Sequence, residues 1–303
     1  MSSPAARRPL DARAVALVLG LCLVWGFQQV AMKGIVPTAA PVMQLAIRLA
    51  GSTLFFGTWV LVTEGRRAFN DGTLRSGVLL GVMFSLEFLF AGQALKFTTA
   101  AHAVVFLYTA PIFTALGLQF LPEERLERLQ WAGIVVAFLG IVVAFIGFGR
   151  FAGKSTSQLL RGDLLALCGG ASWGLSNVVL RRGRIGTAAA AKTVFYQVAA
   201  GALLCGLFAL VTGQSRIEFT PVTILSLVFQ TLVIAIASYL VWFWLLRHYL
   251  TSRLMLLSLL TPLFGVLFGA ALLGDPIDAR FALGASLVLA GVLIVNLRML
   301  LGR

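Results

Sequence analysis

Two ionisable side chains stand in surroundings made almost wholly of hydrocarbon. Glu87, in FSLEFLF, is the only acid of 11 placed midway along an apolar run. A carboxyl there can carry a proton or balance the ammonium of a bound molecule; it can equally be a neutral acid held by packing. Arg48, in QLAIRLA, lies roughly 10 Å into another run at 1.5 Å of helix per residue. Its guanidinium could grip a carboxylate with two parallel bonds. It could also snorkel outward or tie neighbouring helices together through their carbonyls.

Amides and aromatics form a second constellation. In CLVWGFQQV (22–30), Trp25, Gln28 and Gln29 stand at i, i+3 and i+4 and so share a helix face. Trp173, Ser176 and Asn177 repeat the pattern in ASWGLSNVV (171–179). Gln197, Ser238, Tyr239 and Trp242 fall in two further runs, and Tyr108 precedes Pro111 in another. Buried amides are commonly glue between helices, and aromatic stripes are commonly core, so both lining and packing roles stay open. Pro111 and Pro262 each delete a helix hydrogen bond and are candidate helix breaks or hinges. No G-x-S-x-G, H-E-x-x-H, P-loop or CxxC pattern occurs. The expectation is a non-enzyme with no cofactor and no metal centre, driven by no nucleotide.

What must position these groups is a membrane bundle. Of 303 residues, 59% are hydrophobic and 12% charged, against about 25% charged in a soluble domain. The net charge of +13 does not imply a nucleic-acid partner, because Lys and Arg flank the apolar runs instead of lining one face. The three cysteines all lie within apolar runs and form neither a disulfide framework nor a zinc site. Cutting at charges, Gly and Pro yields ten spans: 13–33, 41–63, 73–97, 101–121, 129–148, 162–181, 189–213, 221–246, 250–273 and 279–301. The first run is expected to stay as a helix, being long and bearing Trp and Gln, unlike a cleaved leader. With the N-terminus inside, Lys and Arg are more than twice as frequent on the inner side. This predicts an inner-membrane protein with both termini cytoplasmic and the lipid bilayer as its surroundings.

The chain also repeats itself. LVWGFQQVAMK (23–33) lies over ASWGLSNVVLR (171–181) at an offset of 148, and Arg48 meets Gln197 at 149. YTAPIFTALGLQFLPEE (108–124) lies over LLTPLFGVLFGAALLGD (259–275) at 151, a register that also sets Ser238 opposite Glu87. Two units follow, 1–148 and 162–303, joined by a linker at 149–161. Because five spans is an odd number, the second unit must run through the membrane in the opposite sense, as an inverted repeat around a midplane cavity.

Two five-helix units with Trp-Gly in their first helices resemble the drug/metabolite transporter superfamily, specifically its EamA-type exporters. The Pro-centred stretches LKFTTAAHAVVFLYTAPIFTALGLQFLPEE and TSRLMLLSLLTPLFGVLFGAALLGDPIDARFALGASLVLAGVLIV carry that likeness most specifically. Within the superfamily the build is most similar to the aromatic amino-acid exporters of the YddG type. The resemblance implies an all-α, ten-helix membrane basket with a cavity open to one side at a time. It also implies export of amino acids or related metabolites by alternating access; with no nucleotide-binding motif, the driving gradient is that of the substrate or of protons. A drug or other metabolite exporter of the same fold is the alternative, and a passive pore or intramembrane enzyme the more distant one.

Overall fold

The computed structural model describes residues 8–98, 100–145, 156–273 and 279–300. Its helices are α1 (Ala12–Gly34), α2 (Pro41–Thr63), α3 (Leu74–Phe97), α4 (Ala100–Leu107), α5 (Ala110–Leu118), α6 (Arg128–Phe145), α7 (Thr156–Arg182), α8 (Ala190–Val211), α9 (Pro221–Phe229), α10 (Tyr239–His248), α11 (Thr251–Leu257), α12 (Thr261–Leu273) and α13 (Ala279–Leu300). Three pairs act as single broken crossings: α4 with α5, α9 with α10, and α11 with α12. The described residues therefore make ten apolar crossings, as the hydropathy pattern requires. Seven of the helical stretches are long and apolar enough to span a bilayer and three are shorter. In hydrocarbon each backbone polar group must be satisfied within its own helix, so an all-helical bundle is the expected result.

Local sequence sets several boundaries. Asp11 caps α1 by accepting from the Ala14 N–H at 2.7 Å, and Pro at the first turn opens α2 and α9, where its missing N–H costs nothing. α7 starts at Thr156, so residues 156–161, assigned to the linker by composition, are helical. Leu159 explains this: it is buried and extends the inward face of α7 beyond the apolar run. The rest of the linker lies outside the described residues.

The ends of the helices are laced together. At the near end, which carries Arg8, the Arg8 N–H donates to the His248 carbonyl at 2.9 Å and Leu250 N–H returns to Arg8 at 3.2 Å. The Tyr249 hydroxyl donates to Asp11 at 2.8 Å. Ile185 N–H donates to the Ser76 hydroxyl at 3.1 Å. The fully buried Lys192 ammonium donates to Asp71 at 2.6 Å and to the Ala68 carbonyl. At the far end, Glu218 N–H donates to the Thr38 carbonyl at 2.6 Å and Ala40 N–H to the Arg216 carbonyl at 3.0 Å. Thr98 donates to Asp163 at 2.5 Å. This alternation of ends follows from the odd number of crossings per unit.

Burial alone would raise the Asp71 carboxyl, but hydrogen bonds from Lys192 and Thr73 outweigh it and bring it from its ordinary 3.8 down to about 2. A folded value below the unfolded one stabilises fully above about pH 4 and is lost as pH falls towards 2. The Asp71 side chain is 43% exposed, so water screening limits the effect to about 1 kcal/mol or less. The melting temperature in detergent should therefore fall less steeply between pH 4 and 2 for Asp71→Asn than for the wild type.

Candidate functional site

A cavity of about 170 Å³ opens at mid-depth between the two units. It is lined by Trp25, Gln28, Gln29, Arg48, Glu87 and Tyr108 from the first unit, and by Trp173, Ser176, Asn177, Gln197, Tyr239 and Trp242 from the second. These are all of the cavity candidates but one. Ser238 lies behind the wall, where its hydroxyl accepts from Trp25 Nε1 at 2.9 Å and donates to the Ile234 carbonyl at 2.5 Å.

Three polar groups dominate the lining. Arg48 is 1% exposed. Its Nη1 approaches the Met32 sulfur at 3.8 Å, its guanidinium lies 5.8 Å from the Phe88 ring centre, and its Nε has no hydrogen-bond partner. Among the described residues it pairs with no carboxylate. Gln197, the repeat counterpart of Arg48, is 3% exposed and its Oε1 has no partner. Glu87 supplies the lining's one carboxyl. A buried cation costs several kcal/mol unless something answers it, and the Tyr239 hydroxyl is the polar side-chain group within hydrogen-bond reach of this guanidinium.

The rest of the wall is aromatic. Trp25 meets Trp242 edge to face at 5.4 Å, and Tyr108 meets Trp173 likewise at 5.6 Å. Phe84 bridges Phe88 at 5.0 Å and Tyr239 at 5.9 Å. Such T-shaped pairs fix ring orientations while leaving a face or edge free for a ligand. The amides point partly away from the cavity: Gln28 donates to the Met32 sulfur at 3.4 Å, and Asn177 to the Met255 sulfur at 3.4 Å and the Trp173 carbonyl at 3.0 Å. Phe84, Phe88, Leu107, Phe243 and Thr261 complete the lining without having stood out as polar or repeated positions. For Phe84 and Phe88 the available signal was their helical spacing around Glu87.

Backbone breaks shape the cavity. The fourth crossing is interrupted at residues 108–109, just before Pro111, and the ninth passes through a 3-10 turn, Ser258–Leu260, just before Pro262. The eighth crossing widens into a π-helix over Gln230–Ser238, which delivers Tyr239 and Trp242 to the wall. The tryptophan-flanking glycines sit against the broken helices of the opposite unit. A Cβ on Gly26 would fall 2.8 Å from Gly265 N, and one on Gly174 would fall 2.5 Å from Phe113 Cβ and 2.7 Å from the Ala110 carbonyl. Gly26→Val and Gly174→Val should each lower stability by about 1–3 kcal/mol through overpacking. Gly20→Ala, with nothing within 4 Å, should leave the melting temperature within a degree or two of wild type or raise it.

Below the cavity, the near end is closed by a residue that sequence reading passed over except as a repeat partner. The Glu124 side chain is fully buried. Its carboxylate accepts from Arg181 Nε at 3.1 Å, Thr251 N–H at 3.1 Å, Ser252 N–H at 3.2 Å and the Ser252 hydroxyl at 3.3 Å. It thus joins the α5–α6 connection to α7 and to the start of α11. Glu123 pairs with the same Arg181 from a more exposed position.

Comparison with known proteins follows this geometry closely. The EamA-like transporter family matches the chain twice, over residues 12–146 and 160–297. A probable amino-acid metabolite efflux pump of Salmonella typhimurium is 29% identical over 92% of this chain and 93% of its own. A protein of the same description from Escherichia coli is 28% identical with the same coverage. The uncharacterized transporter YoaV of Bacillus subtilis is 22% identical over 91% and 94% of the two chains. A solved crystal structure with 20% identity superposes on 97% of this chain and 100% of its own at a TM-score of 0.79, a likeness of fold alone.

Proposed function

Because the chain belongs to the EamA-like transporter family, a family of membrane transporters and not enzymes, we propose that it exports α-amino acids with large apolar or aromatic side chains. The carrying observation is the cavity lining, with one guanidinium, one carboxyl and a ring of aromatic faces. The two charges cancel, which suits a zwitterion: Arg48 takes the carboxylate, Glu87 balances the ammonium, and the rings cover the side chain. Relatives described as amino-acid metabolite efflux pumps support the same reading. The cavity volume of about 170 Å³ falls below the roughly 300–1,000 Å³ of drug-sized pockets, which favours a small metabolite over a drug.

Transport proceeds by alternating access between the two inverted units, driven by the gradient of the substrate or of protons. The near end faces the cytoplasm, since it gathers most of the Arg and Lys. Pro111 and Pro262 serve as the bending points.

A proteoliposome panel tests the reading. Counterflow of labelled phenylalanine should saturate and be inhibited by unlabelled leucine or tryptophan, with and without a pH gradient. Non-saturating flux would instead indicate a pore, and inhibition only by cationic drugs would indicate a drug exporter. Glu87→Gln should lower the rate about tenfold or more, the scale of one lost charge-assisted contact.

A further inference from the structure

The geometry points to Gln197 as the residue that distinguishes an α-amino acid from the same molecule without its amino group. This rests on the amino-acid reading above and adds to it the atom that reads the amine. Arg48 and Gln197 occupy equivalent positions in the two units, on α2 and α8, and both face the same cavity from almost complete burial, 1% and 3% exposed. Each leaves one polar atom without a partner: a donor, Arg48 Nε, and an acceptor, Gln197 Oε1; the Thr261 hydroxyl, which can do either, is the other unpartnered polar atom among the lining residues. Native buried polar atoms are nearly always satisfied, so a donor and an acceptor orphaned on one cavity describe what the missing molecule offers.

A plain carboxylate answers only half of that description. It would satisfy Arg48 and leave Gln197 Oε1 bare, or bring two acceptor oxygens together. A 2-oxo acid adds a further acceptor and does no better. An α-ammonium beside the carboxylate supplies the N–H that Gln197 Oε1 lacks. Glu87 balances the charge; Gln197 fixes the direction of a hydrogen bond. A site built to bond a group discriminates strongly against analogues lacking it, because its own polar atom is then buried unpaired.

The experiment is competition against labelled phenylalanine counterflow in proteoliposomes, using unlabelled phenylalanine and 3-phenylpropanoate. Wild type should favour phenylalanine over 3-phenylpropanoate by about thirtyfold or more. Gln197→Met keeps the length and shape without the acceptor, and should lower that ratio by about fivefold or more, the remainder resting on Glu87. Gln197→Glu retains an acceptor and should keep or widen the wild-type ratio. A Gln197→Met protein that discriminates as wild type does would overturn the assignment, as would a Gln197→Glu protein that has lost discrimination. A role in packing alone would change the rates for both compounds together and leave the ratio intact. If wild type transports phenylalanine but Gln197→Met keeps the ratio, only this assignment fails. If wild type transports no α-amino acid, the functional reading fails and takes this one with it.

Discussion

Glu124→Ala is expected to lower the stability of the purified protein by roughly 3 kcal/mol or more, the scale of breaking a buried charged pair. Four donors converge on this carboxylate, and two of them are the first amides of α11, where the helix dipole favours a negative charge. Removing it strands those N–H groups and halves the charge opposing Arg181. Glu124→Gln should recover part of the loss, because an amide oxygen still accepts but carries no charge. Glu123→Gln should change little, since its side chain is 56% exposed and exposed ion pairs contribute about 1 kcal/mol or less. Thermal melts in detergent would test the series; equal melting temperatures for Glu124→Ala and Glu123→Gln would refute it.

Arg48→Met should separate transport from stability. A guanidinium buried without a carboxylate partner among the described residues contributes little to the protein's stability, and exchanging it for a flexible apolar side chain should leave the melting temperature unchanged or higher. Transport of amino acids should fall at least about thirtyfold, since truncating one partner of a buried charge pair costs about 2–5 kcal/mol. Arg48→Lys should rescue poorly, because a point charge cannot reproduce the fork. The opposite result, a large loss of stability with transport in proportion to folded protein, would make Arg48 a tie between helices.

Much of this architecture can be read from the chain because hydrocarbon enforces it. The ten runs, the Trp-Gly pair at 25–26 and 173–174, and the ionisable groups at 48 and 87 all announce themselves against an apolar background. What stayed hidden depends on partners distant in sequence. Nothing around Glu124 says that its carboxylate will meet Thr251, and nothing near Lys192 names Asp71. Ser238 shows the reverse: repeat register sets it opposite Glu87, and its hydroxyl is bonded to Trp25 and Ile234. The break before Pro111 was legible from proline chemistry. The π-helix at Gln230–Ser238 was not, because its i→i+5 bonding has no residue signature.

That widened turn bears on the chain's history. The offset between the two units grows from 149 at Arg48 and Gln197 to 151 at Glu87 and Ser238, so the second unit holds two more residues than the first between these points. A loop could have absorbed them at the surface. A π-helix instead fits additional residues into a crossing without lengthening it. The duplicated units thus run out of step in sequence, and Trp242, which aligns with Ala91 at the offset of 151, meets Trp25 edge to face.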